Sequence, residues 1–340
     1  MNMHVQLILF FLSCFCNYRD MLQSTKPNIS FTLDAYKKIH DLKYVFVAVL
    51  FLLYPVIVIA NGLIICIVCL ERKLHKPMYF LICNLACINI YGGTAVAPFI
   101  ITRFLIEDYQ ITWLSCLVHT FVIYSYVSSD ITNLTVMAYD RYISICYPLN
   151  YGKIVTPTKV IIAVAVTWCY PFVRITISLL FTARLDICGT IIEKVYCDNY
   201  SIVKLACSDI SSYNIHSSIL ILLAIVLPFI IIIYSYLRII LICLNVSSQT
   251  KTKLFSTCVP HLIALLNFIL GSCFELIQSR FDMRHVPYVF RVILSLYFLI
   301  LSPIINPVLY GIRTQAIKDA VIRKLCSRIY QKQVNLSWVS

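Results

Sequence analysis

The chain has 340 residues, of which 60% are hydrophobic and only 13% charged, with a formal net charge of +13. That composition lies outside the range of water-soluble domains and excludes one of ordinary kind. About 20 helical residues cross a bilayer core of roughly 30 Å, and seven apolar runs are long enough: 44–70, 79–102, 113–139, 160–181, 213–237, 254–279 and 286–310. The fold class expected is an all-α membrane protein, a seven-helix transmembrane bundle over 44–310 between an outer segment, 1–43, and an inner tail, 311–340.

Before the first span, residues 5–16 are apolar but too short to cross a bilayer. They resemble the core of a signal peptide, yet no basic flank precedes them and no small-residue cleavage site follows. The preferred reading of residues 1–20 is an upstream extension, with Met21 as the start. Asn28-Ile29-Ser30 forms a glycosylation sequon in this outer segment.

The first span carries Asn61 near its middle; an amide in lipid needs partners, so Asn61 is expected to face the bundle. The next loop leads into the second span through Leu74-His75-Lys76-Pro77-Met78-Tyr79-Phe80, with Pro77 in the first helical turn, where proline fits. Asn84 and Asn89 follow. The third span holds Asp130 and ends in the string Met137-Ala-Tyr-Asp140-Arg141-Tyr142-Ile-Ser-Ile-Cys-Tyr-Pro148-Leu149. The strings at 74–80 and 137–149 together closely resemble those of odorant receptors, a branch of the rhodopsin-like G-protein-coupled receptors.

With the loop after Asp140 in the cytoplasm, seven spans put the amino terminus outside and the carboxyl terminus inside. Cytoplasmic segments then hold 15 Lys and Arg against 3 acids, Glu71, Asp140 and Asp319; the remainder holds 13 against 12. This is the positive-inside bias, and it explains the net charge without a nucleic-acid partner.

Asp130 lies 11 residues before Arg141, roughly 16 Å from the cytoplasmic end. A carboxylate at that depth must be protonated, paired or bound to a cation. The resemblance implies an acid here, and two readings stand: a sodium or proton site built with Asn89, Asn61 and Asn306, or a protonated Asp130 bonded within the bundle. Asn89 replaces the aspartate usual in the wider receptor class, a departure from its standard sodium site. No other cofactor is expected.

In the fourth span, Arg174 follows Lys159 by 15 residues, roughly 22 Å up the helix. Such an arginine either snorkels to the outer surface, its commoner fate, or faces a cavity and pairs with an anion. The following loop carries Cys188, Cys197 and Cys207, and Cys116 opens the third span on the same side. Four cysteines allow three pairings and spacing does not choose among them. The resemblance, strengthened by Cys197-Asp198 and Lys204-Leu-Ala-Cys207-Ser-Asp209, implies Cys116–Cys197 and Cys188–Cys207, bonds that would pin the loop as a lid.

The sixth span opens with Lys253-Leu-Phe-Ser-Thr-Cys-Val-Pro-His261-Leu, a further family string; Ile269 stands where the family often has an aromatic switch residue. The seventh ends Asn306-Pro307-Val-Leu-Tyr310, where Pro307 removes a backbone donor and Asn306 is expected to satisfy freed groups. Residues 312–329 place Ile312, Ala316, Ala320, Leu325 and Ile329 on one face, an amphipathic helix on the inner leaflet. Cys326 is a palmitoylation candidate.

By position, the resemblance assigns the outer cavity to Ile123, Tyr124, Val127 and Ser128, to Ser272, Cys273 and Leu276, and to Val292, Ser295 and Leu296. Glu275 and Arg291 each sit roughly 33 Å up their helices. They are expected either to form a rim salt bridge or to bind a zwitterion, with Arg103 or Arg174 assisting. Asp140, Arg141, Tyr142, Tyr236, Asn306, Pro307 and Tyr310 are the implied coupling and activation residues, with Asp140 as the resting partner of Arg141.

The function implied is an odorant receptor of the plasma membrane, not an enzyme. It would bind a small-molecule odorant, polar or zwitterionic, and activate a stimulatory olfactory heterotrimeric G protein that raises cyclic AMP. The alternatives are a non-olfactory receptor for a peptide or lipid and, from another class, a transporter or channel. The chain shows neither the paired broken helices of the former nor the charge rings of the latter.

Overall fold

The structure, a computed structural model, describes residues 29–244, 248–281, 283, 285–313 and 316–323. Asn28, Cys326 and residues 1–20 lie outside them. Long helices run over Lys43–Leu70 (α1), Pro77–Ile106 (α2), Trp113–Cys146 (α3) and Pro157–Ala183 (α4). The fifth, α5, comprises Ser211–Ile221, a π-helical turn Leu222–Val226 and Leu227–Leu244. Ser248–Arg280 is α6, and α7 comprises Tyr288–Leu296, a second π turn Tyr297–Leu301 and Ser302–Arg313.

Local signals set the starts. Pro77 and Pro157 occupy first-turn positions, where their missing N–H costs nothing. Thr112 caps α3 by accepting from the Ser115 N–H, and Thr156 caps α4 through Lys159. Among the described residues six helices are long and apolar enough to cross a bilayer; α3 is the further helix of the seven-helix bundle. It is more polar because α2, α4, α5 and α6 pack around it. Ser125, Ser129, Asp130 and Asn133 are therefore buried in protein rather than lipid.

Buried amides bind the helices to one another. Asn84 donates to Asn133 on α3 (2.8 Å) and to Thr167 on α4 (2.9 Å), and accepts from the Trp168 indole (2.9 Å). Asn89 donates to Asn61 (3.0 Å) and accepts from Asn306 (3.3 Å), joining α1, α2 and α7. Pro307 lacks the N–H that would bond the Pro303 carbonyl, and Asn61 Nδ2 donates to that oxygen at 2.9 Å. The expectation that Asn306 fills this role is corrected: its amide is turned to Asn89, while Asn61 reaches across from α1.

At one end, the mouth, a small sheet of order β2-β1-β3 joins segments distant in sequence. Strand β1 (Ser30–Leu33) runs antiparallel to β2 (Gln110–Thr112) and parallel to β3 (Ile191–Ile192). Phe31, Leu33 and Tyr36 are fully buried there. Beyond α7, residues 316–323 are helical, with Ile317 and Ala320 packed against the bundle and Arg323 3.5 Å from Glu71.

Candidate ligand cavity

The structure bonds Cys116 to Cys197 and Cys188 to Cys207. The first bond anchors the loop after α4 to the top of α3, and further contacts draw that loop over the mouth. Tyr36 Oη donates to the Val195 carbonyl (2.7 Å), Tyr288 Oη to Glu193 (2.9 Å), and Lys204 Nζ to Ser279 (2.8 Å).

Beneath this lid lies a cavity of about 190 Å³, smaller than the ~300–1,000 Å³ of drug-sized sites. On α3 it is lined by Ile123, Tyr124, Val127 and Ser128, on α4 by Arg174, and on α6 by Phe268, Ser272 and Glu275. The two π turns flank it, contributing Ala224 and Ile225 from α5 and Phe298 and Leu299 from α7. Such turns displace the following side chains around the helix and recur at functional sites. Phe268 and Phe298 meet edge-on, 5.5 Å between centroids.

The lid closes through a buried charge cluster. Glu275 Oε2 accepts from Lys194 Nζ (3.0 Å) and Tyr196 Oη (2.7 Å). Asp198 accepts from Tyr124 and from the Ser201 N–H (3.0 Å), with Lys194 3.7 Å away. Burial pulls the Lys194 pKa down, but the Asp198 and Glu275 carboxylates outweigh it and hold the ammonium above its ordinary value. Burial likewise raises Asp198, whereas Lys194, Tyr124 and Ser201 bring it below the usual carboxylate range.

Several expected positions fall elsewhere. Cys273 is exposed, because it stands about 100° around the helix from Ser272. Val292 and Ser295 face a crevice of about 10 Å³ beside the lid, where Ser295 donates to Gln278 (3.1 Å). Leu296 is buried outside the cavity lining. The α7 contribution comes one turn deeper, at Phe298 and Leu299. The side chain of Leu276 is not among those described. The rim salt bridge is corrected: Glu275 takes Lys194, and the Arg291 guanidinium lies over the Tyr288 ring at 4.8 Å. Arg103 is likewise drawn away, donating to the Asp108 and Gln110 carbonyls (3.0 and 2.8 Å). Arg174 turns inward, its Nη2 2.8 Å from Ser128 Oγ. Lys194 and Tyr196 escape sequence reasoning; their every-second-residue spacing with Asp198, beside Cys197, is the signal that could have marked them.

A family model described as olfactory receptor matches residues 50–328. The chain belongs to the olfactory receptor family. The receptor is 34% identical over 300 residues to olfactory receptor 11A1 of Homo sapiens, covering 87% of this chain and 93% of that one. It is 33% identical over 292 residues to olfactory receptor 4K15 of Homo sapiens, covering 85% and 87%. Olfactory receptor 1496 of Rattus norvegicus is 30% identical over 287 residues, covering 84% and 92%. The crystal structure of squid rhodopsin shares the fold, with a TM-score of 0.68 at 15% identity over 85% of this chain and 87% of that one. It is a multi-pass plasma-membrane receptor and not an enzyme.

At the end of the receptor opposite the mouth, Asp140 is buried and accepts from Tyr151 Oη at 2.7 Å. Among the described residues no ion pair joins it to Arg141, which corrects the expected resting partnership. Adjacent residues on a helix point about 100° apart and do not face each other. Tyr236 Oη bonds His261 Nδ1 at 2.7 Å, linking α5 to α6. Tyr142 packs edge-on against Tyr147 and Tyr234. The buried Tyr310 hydroxyl and Arg141 Nε have no hydrogen-bond partner among the described residues. In mid-bundle, Asp130 Oδ1 is also buried without one, an atom that suits a cation, whereas Asn89 is engaged at both ends of its amide.

Proposed function

We propose that the receptor binds a small-molecule odorant in the lidded cavity and activates a stimulatory olfactory G protein, raising cyclic AMP. The mouth faces outside the cell and Arg141 the cytoplasm, in keeping with the positive-inside charge bias. The observation that carries this reading is one continuous helix, α3. It lines the cavity with Tyr124 and Ser128 at one end and carries Arg141 at the other.

A ligand that fits one arrangement of α5, α6 and α7 better than another shifts the population toward it. The π turns of α5 and α7 place deformable backbone beside the ligand, and the Tyr236–His261 bond lies at the far end of the moving helices. Opening α6 would break that bond and free Tyr236 to join Arg141 and Tyr310 at a partner surface. Sodium at Asp130 is proposed as the ion that favours the resting arrangement.

The test is a cyclic AMP assay in transfected cells against amino acids, amines, steroids and volatile acids and alcohols. At least one class should raise cyclic AMP through the wild type and none through Arg141→Ala at equal surface expression.

A further inference from the structure

We propose that the ligand is a small organic carboxylate, seated on Arg174. This presupposes that the cavity is the ligand site and adds the chemical class of its occupant. A guanidinium at this depth is costly unless it is paired, solvated or able to snorkel outward. Arg174 does not snorkel: its Nη2 donates to Ser128 Oγ on the opposite helix, and it lines the cavity. Its Nε is buried without a hydrogen-bond partner. No described carboxylate lies within 4.0 Å of it.

At the cavity three described cations, Lys194, Arg174 and Arg280, stand against two acids, Glu275 and Asp198, which leaves one positive charge over. Lys194 sits between Glu275 and Asp198, and the Arg280 guanidinium lies over the Tyr200 ring at 4.0 Å. Among the described residues Arg174 has neither a carboxylate nor an aromatic face against it, and its planar fork pairs with a carboxylate through two parallel N–H donors. Ser128, having accepted from Arg174, keeps its own hydroxyl proton for a ligand oxygen. The walls beyond are apolar, at Val127, Ile131, Phe268 and Phe298, so the remainder of the ligand is a short hydrocarbon. A phosphate dianion would bring more charge than one arginine balances, and a simple amine would be repelled by it.

The experiment uses the full chain purified in lipid nanodiscs, with binding read by saturation-transfer NMR and no G protein present. Probes are butanoate through octanoate and benzoate, each with its matched alcohol, methyl ester and amine. At least one acid should bind about tenfold or more tightly than its neutral counterparts, the scale of one charged hydrogen bond. Arg174→Met should abolish that preference while Arg174→Lys keeps part of it. If Arg174→Met does not fold, Ser128→Ala serves: by removing the side chain that orients Arg174 it should narrow the preference for the acid over its matched alcohol several-fold. Acids that bind no tighter than alcohols, or that bind Arg174→Met as they bind the wild type, overturn the carboxylate seat. Cyclic AMP responses confined to neutral odorants and unaltered by Arg174→Met would overturn the seat and leave the receptor reading intact. An intact, Arg174-dependent acid preference without any signalling would do the reverse.

Discussion

Lys194, in the loop after α4, holds its ammonium 3.0 Å from the Glu275 carboxylate on α6, and both side chains are largely buried. The pair fastens the lid to the helix expected to move on activation. Breaking a buried pair by removing one partner leaves an uncompensated charge and costs about 3–5 kcal/mol. Lys194→Met should accordingly lower the thermal midpoint in detergent sharply, because Glu275 and Asp198 would then face each other with no cation between them. The double variant Lys194→Met/Glu275→Gln should recover part of the loss. Additive losses would show that the two residues do not act as a pair.

The same cluster sets a pH profile. Asp198 is held below its ordinary pKa, so its contribution is complete above the unfolded carboxylate value and is lost as pH falls through the lowered one. Lys194 is held above its ordinary pKa, so its contribution is complete below the unfolded lysine value and is lost as pH rises through the raised one. From these groups, stability should be flat between about pH 5 and pH 9 and fall only beyond those limits. Thermal unfolding across that range checks it, and Asp198→Asn should flatten the acid limb.

Gly92 and Gly271 mark the two places where the helices approach a glycine most closely. A Cβ on Gly92 would lie 2.3 Å from the Tyr126 ring, and one on Gly271 would lie 2.2 Å from Phe298. Gly92→Ala and Gly271→Ala should each cost about 1–3 kcal/mol as overpacked sites. Gly62→Ala, with nothing within 4 Å, should be nearly neutral. Only Gly271→Ala should also alter ligand response, because Phe298 lines the cavity.

Sodium at Asp130 carries its own expected outcome. At constant ionic strength, exchanging choline for sodium should raise the thermal midpoint of the wild type and leave Asp130→Asn unmoved. Equal salt responses in the two would mean that the carboxyl is protonated within the bundle.

The seven helices were legible because bilayer thickness sets their length, and Pro77 and Pro157 mark two of their starts. The more polar α3 was legible as the run 113–139 and through its motif string, although burial inside a bundle relaxes the demand for apolar side chains. Side-chain direction was not legible. The depth of Arg174 follows from its distance to Lys159, but whether it snorkels depends on Ser128 standing opposite. Val292 and Ser295 were placed in the cavity by position, and the π turn of α7 moves that role to Phe298 and Leu299. The partners of Glu275 and Asp140 were missed for a related reason. Lys194 reaches Glu275 from a loop and Tyr151 reaches Asp140 from a short helix, Tyr151–Ile154, in the connection after α3, and the period of the long helices encodes the placement of neither.

The most direct test of a cavity that governs the far end of the molecule is to fill it. Ser272→Phe places a ring in the space lined by Ser272, Tyr124 and Arg174 without touching the Tyr236–His261 end. Agonist-driven cyclic AMP accumulation, measured at matched surface expression, should vanish in this variant. An unchanged dose–response curve would contradict the account, because the ligand would then be acting somewhere else.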